Sequence, residues 1–495
     1  MFSLVFKRLN RIHYHSTSQR GLATLHGQLS QSAIREHQIP AVQNQEASNQ
    51  DLYWRKIPQW KNIDIKEFLS YRWQANNSIT THTQLVAFMR DVLPKTIPGT
   101  FSTTGKSQKS IAQEEFLEDV RDGVQRAPMS VRLTPHILSL INWEQPFSDP
   151  LLRQFIATGS RLLPDHPSLT LDSLHETDDS PVKGLVHRYP DKALFLATSV
   201  CPVYCRYCTR SYSIGVPTAL VQKTRFLPIP KKWEPIFQYI STTPSLHDIV
   251  ISGGDAFSLS PEQLLFIGRR LLSMPHINRI RFASKGLAVC PSRFLDKEDG
   301  WANALIELSN EGREMGKSVS LHTHFNHPNE VSWITELAAR KLFRAGVQVR
   351  NQTVLLNGIN SDFETMSSLI RKLAGLNIQP YYVYQHDLVL GVEDLRTPLS
   401  TILELESQIR GTIAGFMMPS FVVDLPGGGG KRLACSYESY DRKTGRSTFR
   451  APNSHMKGSD GADKLWEYWD PVWSLKDNCM EESEDEKRED VMPVA

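Results

Sequence analysis

The chain has 495 residues, 40% of them hydrophobic and 22% charged, which suits a globular protein large enough for two or more domains. Its formal net charge of +3 is too near neutral to argue for a nucleic-acid partner, and no apolar run is long enough to span a bilayer. Six cysteines in the whole chain, three of them clustered, read as a metal site in a reducing compartment and not as a disulfide framework.

Residues 1–35 carry five basic and no acidic side chains. Phe2, Val5, Phe6, Leu9 and Ile12 fall on one face of a helix, with Lys7, Arg8 and Arg11 elsewhere on it and Ser16, Thr17 and Ser18 following. That is the composition of a mitochondrial transit peptide; it predicts a eukaryotic protein of the mitochondrial matrix, the alternative being a basic tail on a cytoplasmic protein. Residues 37–56 are Gln/Asn-rich and read as linker. From Trp60 to about Pro164 apolar residues recur at spacings of three and four, as in Ile65, Phe68 and Leu69, then Leu85, Phe88, Met89 and Val92. Linker and helical N-terminal domain together span 36–180.

Strands and helices then alternate. Ala193–Ser199, Asp248–Ser252, Ile280–Ser284, Ser318–Phe325, Val347–Leu355 and Gln379–Gln385 are expected strands. Pro261–Met274, Trp301–Met315, Val331–Ala345 and Phe363–Leu376 are expected helices. Six βα units predict an α/β fold: a parallel sheet with right-handed crossovers, a partial (βα)6 relative of the TIM barrel, over 181–410. The chemically interesting motifs stand at strand C-terminal ends, where such barrels keep their active sites. Phe421–Leu425 is a short β-rich run leading into Pro426-Gly-Gly-Gly-Gly430-Lys431, within a small C-terminal subdomain over 411–470. Residues 481–490 carry seven acidic and two basic side chains, so 471–495 reads as a disordered acidic tail.

Cys201-Pro-Val-Tyr-Cys205-Arg-Tyr-Cys208 places three thiols at spacings of four and three. Three is one ligand short of filling a 4Fe–4S cluster, which leaves one iron open to a chelating cofactor. The alternative is a zinc knuckle, whose fourth ligand, such as His187, would have to fold back. This pattern resembles the radical S-adenosylmethionine (SAM) enzymes.

A longer ordered set resembles one family among them, the lysine 2,3-aminomutases, which also use pyridoxal phosphate (PLP). It runs from Tyr71-Arg-Trp-Gln74 through Glu176-Thr-Asp-Asp-Ser-Pro-Val182, His187-Arg-Tyr-Pro-Asp191 and the cysteine motif with Thr209-Arg210. It continues with Ser252-Gly-Gly-Asp-Ala256, Thr323-His-Phe-Asn-His-Pro-Asn-Glu330, Asn351-Gln352, Tyr381-Tyr-Val-Tyr-Gln385 with Asp387, and Val422-Val-Asp-Leu-Pro-Gly-Gly-Gly-Gly-Lys431. The resemblance implies an isomerase that interconverts L-lysine and β-lysine. Cys201, Cys205 and Cys208 would hold the cluster. Ser252, Gly253, Gly254, Asp255, Tyr207, His324 and Gln352 would contact SAM, with Tyr207 on the adenine. Lys431 would hold PLP as a Schiff base and Arg188 would contact its phosphate. Arg210 would grip the substrate carboxylate, and Asp387 and Asp424 its side-chain ammonium. An unidentified electron donor and a homo-oligomer are further implications.

Several of these residues also carry a plain physical reading. A lysine amine is what PLP enzymes use, and four glycines before Lys431 leave the backbone free for a bulky cofactor; a phosphate loop fails because Arg432 follows Lys431, and a flexible linker stays open. The Arg210 fork suits a carboxylate. Asp387 and Asp424 follow apolar strands, where burial is costly without a cation, but caps and salt bridges are alternatives. Asp255 suits a helix cap, and His322 and His327 suit core packing. The chain departs from the bacterial pattern in lacking a C-terminal Cys-x-Cys-x2-Cys zinc triplet. Cys479 stands alone, Asp362 falls where a further zinc ligand is expected, Ser211-Tyr212 follows Arg210, and Lys285 follows Ser284 in place of arginine. The zinc site is therefore expected to be absent. Rival readings are the same chemistry on glutamate, arginine or a protein lysine, or a catalytically silent cluster-binding protein.

Overall fold

The structure is a computed structural model that describes residues 52–99, 109–451 and 464–475. The expected transit peptide, most of the linker, and residues 476–495 of the expected tail, with Cys479, lie outside the described residues; the start of that tail is ordered instead, as the turn Val472–Leu475, whose Val472 N–H donates to Glu393 at 2.7 Å. The chain divides into two units, Met1–Leu52 and Tyr53–Ala495; every helix and strand among the described residues belongs to the second.

Nine strands form its main sheet: β1 (Leu185–Tyr189), β2 (Lys192–Thr198), β3 (Asp248–Gly253), β4 (Arg279–Ala283), β5 (Ser318–Thr323), β6 (Gln348–Val354), β7 (Ile378–Tyr384), β8 (Ser420–Leu425) and β9 (Gly430–Leu433). They lie side by side in sequence order. β2 to β8 are parallel, and β1 and β9 add antiparallel edges. A helix follows each of β2 to β7: Pro230–Ser241, Pro261–Leu272, Trp301–Glu314, Trp333–Arg344, Phe363–Gly375 and Leu399–Ile409. Sequential order with crossovers of one hand curls the sheet into an incomplete barrel. Local chemistry marks the helix starts: Ser260 and Ser332 close capping boxes, and Asp362 accepts from the Thr365 N–H at 2.8 Å.

The parallel sheet has one strand more than the six expected. Ser420–Leu425 pairs in parallel with β7, Phe421 opposite Val383 and Val422 opposite Tyr384. The helix Leu399–Ile409 supplies its crossover, and Phe421, Val423 and Leu425 bury against Ile402 and Leu405.

The strands alternate in a way that hollows the barrel. In β4, Ile280 and Phe282 are buried, while Arg279, Arg281 and Ala283 line a central cavity. In β6 it is Gln348, Arg350 and Gln352 that line it. Apolar side chains face the helices and polar ones face inward, so the interior is a site and not a packed core. The N-terminal helices attach to the barrel through Tyr71, whose N–H donates to Asp296 at 2.7 Å and whose ring lies 3.9 Å from the Arg293 guanidinium. At the other end β10 (Ser439–Asp441), β11 (Arg446–Arg450) and β12 (Leu465–Trp469) form a separate antiparallel sheet. Its Phe449, Trp466 and Tyr468 pack on the outer face of β8.

Candidate active site

The cysteine loop starts where β2 ends. Cys201 and Cys208 pack against Met129, Tyr204 and Ile214, and Cys205 against a second apolar group with Tyr207 and Val389. Burial raises all three thiols: Cys205 to about 12, with Lys285 opposing, and Cys201 well above its ordinary value, with the charges of Asp255, Cys208 and Cys205 adding. No group of three His, Cys, Asp or Glu side chains among the described residues is gathered as for a single ion. His187 bonds Tyr239 through Nδ1 at 2.9 Å.

Gly253-Gly254-Asp255 ends β3 and grips this loop. The Gly254 N–H donates to Thr198 O at 2.6 Å and the Asp255 N–H to Val200 O at 3.0 Å. Gly253 has φ +100°, and a Cβ on Gly254 would collide with the Val200 backbone. The Asp255 carboxylate accepts from the N–H groups of Phe257 (2.8 Å) and Lys285 (2.7 Å). Burial still lifts it to about 6. Asp255 is thus a cap and a clasp between two barrel loops.

Tyr207, His324 and Gln352 meet. The Tyr207 hydroxyl lies 3.2 Å from His324 Nε2, accepts from Asn326 Nδ2 at 2.7 Å and donates to Gln154 at 3.1 Å. His324 Nδ1 donates to Gln352 O at 2.8 Å. Burial, reinforced by Lys285, lowers His324 to about 3, so it is a neutral hydrogen-bonding ring. His322 bonds Tyr381 at 3.2 Å, and His327 caps the turn Pro328–Glu330.

Lys431 stands on β9 directly opposite Asp424 on β8, and its Nζ meets Asp424 Oδ2 at 2.6 Å. The glycine run before it is the hairpin turn: Gly427, Gly428 and Gly430 have positive φ, and a Cβ on Gly429 would lie 2.6 Å from the Trp466 ring. It is neither a linker nor an open approach, because Trp466 covers it. The Lys431 ammonium also lies 5.5 Å from the Tyr384 ring and 5.8 Å from that of Tyr189 on the far edge strand. Burial opposes its charge, but Asp424, Tyr384 and Tyr189 outweigh burial and raise it well above an ordinary lysine. Asp387, just past β7, shares this field: burial and then Asp424 push it to about 8. Oδ1 of Asp387 and Oδ1 of Asp424 are both buried without a hydrogen-bond partner.

The two arginines are held by one loop. Glu176 takes the Arg210 fork, Nε at 2.7 Å and Nη2 at 2.6 Å, and Tyr212 donates to the same carboxylate. Asp179 takes Arg188 Nε at 2.8 Å, and Leu174 O accepts from Arg188 Nη2. Both arginines, Lys431, Ser252, Gln352 and Tyr384 line the same cavity of about 430 Å³.

The pattern of likeness to other proteins fits this arrangement. The chain is 37% identical over 379 residues, 76% of its own length and 80% of the relative's, to an L-lysine 2,3-aminomutase of Clostridium subterminale. It is 35% identical over 379 residues, covering 71% of the relative, to the L-lysine 2,3-aminomutase of Bacillus subtilis. The chain belongs to the lysine 2,3-aminomutase family. A glutamate 2,3-aminomutase of Clostridioides difficile is also similar, 30% identical over 377 residues and 79% of its length. No protein-family profile matches the chain.

As a family member the chain keeps further site-building residues that its motifs did not single out. Glu176 and Asp179 lie inside a matching stretch, but only the fold gives them Arg210 and Arg188 as partners. Lys192 lines the cavity with its ammonium 3.7 Å from the Tyr189 ring; burial, with Lys431 and Arg281 adding, lowers it to about 7. The inward-facing period of β2, Lys192 then Leu194, was the available signal. Lys285 reaches Glu330 at 2.6 Å and His324 O at 2.8 Å, so the lysine in place of arginine is a buried ion-pair member.

Proposed function

We propose that this aminomutase interconverts L-lysine and L-β-lysine, using a 4Fe–4S cluster, SAM and PLP. The observation that carries lysine is the buried pair Asp387 and Asp424, each with an unpartnered Oδ1. A cationic side chain gives both carboxyls a partner and favours their ionised forms, whereas a glutamate side chain would bring a further carboxylate into the same low-dielectric space. This supports lysine over the glutamate reaction named for one relative.

The residues present fit the three groups. Cys201, Cys205 and Cys208 would hold the cluster, in apolar surroundings that keep water off it. Gly253 and Gly254 bring backbone close to the cysteine loop, where SAM would meet them, with Asp255, Tyr207, His324 and Gln352 around it and Ser252 on the cavity wall. Lys431 would bind PLP and Arg188 its phosphate. When bound, these groups supply a hydrogen-abstracting radical and a conjugated ring that delocalises the unpaired electron during nitrogen migration. The protein's part is placement. Arg210, presented by Glu176, fixes the carboxylate end of the substrate, and Asp387 with Asp424 fixes the ammonium end. The β-carbon between them is thereby held in one position, inside walls that exclude water from reactive carbon.

Anaerobic reconstitution with iron, sulfide, SAM and PLP, followed by separate incubation with lysine, glutamate and arginine, tests the reading. β-Lysine is the expected product; a β-amino acid from glutamate or arginine at a comparable rate would overturn the substrate assignment. The mitochondrial location is proposed on the composition of residues 1–35 alone. A reporter fused to residues 1–40 should enter the organelle, and a cytosolic reporter would count against it.

A further inference from the structure

From Lys192 to Trp233 the chain carries seven basic and no acidic residues. This stretch contains the cysteine loop and then an irregular segment that folds back over it. The Ser199 N–H donates to Phe226 O at 3.0 Å, the Phe226 N–H to Ser199 Oγ at 2.8 Å, and the Gly215 N–H to Ser199 O at 3.1 Å, two residues before Cys201. Lys223 donates to Pro128 O at 2.6 Å and to Ser211 O, and its charge reaches Cys208. The inner side of the segment is thus bonded to the cysteine loop. Its outer side is apolar and basic. Val216, Leu220, Leu227 and Ile229 are 51%, 61%, 47% and 43% exposed, while Val221 between them is buried. Arg225, Lys231 and Lys232 are exposed and form no ion pair among the described residues.

Two of these cations stand where the fold itself disfavours them. Lys231 and Lys232 lie in the first turn of the helix Pro230–Ser241, which has no acidic residue there. A helix N-terminus carries positive partial charge, so cations there cost stability. The first acidic residue after the stretch, Glu234, is engaged by Arg270 at 2.7 Å. The result is a patch with an exposed apolar centre, an uncompensated positive rim and a direct backbone link to the cysteines.

We propose that this patch, Val216 to Lys232, is the docking surface for an acidic one-electron-carrier protein that reduces the cluster. The inference rests on the cluster assigned to Cys201, Cys205 and Cys208 above. The carrier's negative surface meets Arg225, Lys231 and Lys232, and the apolar residues exclude water between the partners. One electron leaves the reduced carrier, for example a flavin hydroquinone becoming the semiquinone, and enters the oxidised cluster; no other bond changes.

The test uses the full-length reconstituted protein and follows bleaching of cluster absorbance under anaerobic stopped flow. Three reductants are compared: dithionite, reduced flavodoxin and a reduced acidic plant-type ferredoxin. For the wild type, reduction by at least one carrier should be fast at low ionic strength and slow as salt rises. The triple variant Arg225→Glu, Lys231→Glu, Lys232→Glu should slow that carrier about ten- to a hundredfold with the dithionite rate unchanged, and Leu227→Ser should slow the carrier without altering its salt dependence. Three results would overturn the proposal: carrier rates unchanged in the triple variant, a wild-type cluster reduced by dithionite but by neither carrier, or a change of oligomeric state in the variant on sedimentation, which would make the patch a contact between copies of the chain. A wild type with no cluster that dithionite can bleach would instead strike the proposed function itself.

Discussion

Asp387 and Asp424 are shifted in opposite directions by their neighbours, although burial works against the charge of both. Burial and the charge of Asp424 lift Asp387 to about 8. Burial also works against the charge of Asp424, but Lys431 outweighs it and holds Asp424 below the ordinary carboxylate value. At neutral pH Asp387 is therefore mostly protonated. A substrate ammonium favours the ionised form, so binding below pH about 8 must expel a proton and should weaken by up to about tenfold per pH unit as pH falls. Lysine KM measured across this range should show that slope, and Asp387→Asn should flatten it. Either Asp387→Asn or Asp424→Asn should cost about 2–5 kcal/mol in lysine kcat/KM, the usual loss at a desolvated charge pair. Glu176→Gln should act on the other end of the substrate. It weakens the charge-assisted hold on Arg210 by about 1.5–3 kcal/mol, and the effect should appear in KM far more than in kcat; an unchanged KM would mean that Arg210 is oriented by something else. At this scale a motif names Lys431 and the cysteines in the sequence. No motif names the pairing of Glu176 with Arg210, because the two are 34 residues apart and only a folded loop joins them.

Among the elements, the βα turn at Gly253-Gly254 is the most constrained. A Cβ on Gly254 would stand 2.7 Å from Val200 N, against main chain that has no soft side-chain end to yield. Gly254→Ala should therefore cost about 1–3 kcal/mol as overpacking and displace the segment leading to Cys201. Iron per chain after reconstitution should fall together with the melting temperature. Full iron content would show that the two loops move independently. The strands were legible from their apolar runs, and the barrel with them. The strand β8 was visible as the β-rich run Phe421–Leu425, but its place in the parallel sheet was not, because the helix that feeds it, Leu399–Ile409, follows a loop rich in buried polar groups such as Glu393 and Arg396, which breaks the periodicity. In sequence the glycines before Lys431 suggest freedom of approach. Their positive φ angles and the cover of Trp466 make them a fixed turn, and a glycine run alone does not distinguish the two.

At the scale of the whole molecule, the sheet ends at β1 on one side and β9 on the other, yet Lys431 on β9 lies 5.8 Å from the Tyr189 ring on β1. The two edges thus face one another over the cavity, and Lys431 meets Asp424 on the adjacent strand β8 at one side of it. Lys431 carries the same ammonium group as the proposed substrate, already seated on the proposed substrate carboxylate at 2.6 Å. On the proposed function, free lysine would compete with the resident Lys431 amine for Asp424 until PLP draws that amine off, so cofactor loading is expected to act as an interlock on substrate entry. Calorimetry should detect no lysine binding to protein free of PLP and clear binding once PLP is added. Lys431→Ala, with the seat vacated by mutation, should bind lysine with no cofactor present. Equal lysine affinity in the wild type with and without PLP would break the interlock, and an order of assembly would then have to be sought in the cavity mouth instead of in a single pair of charges.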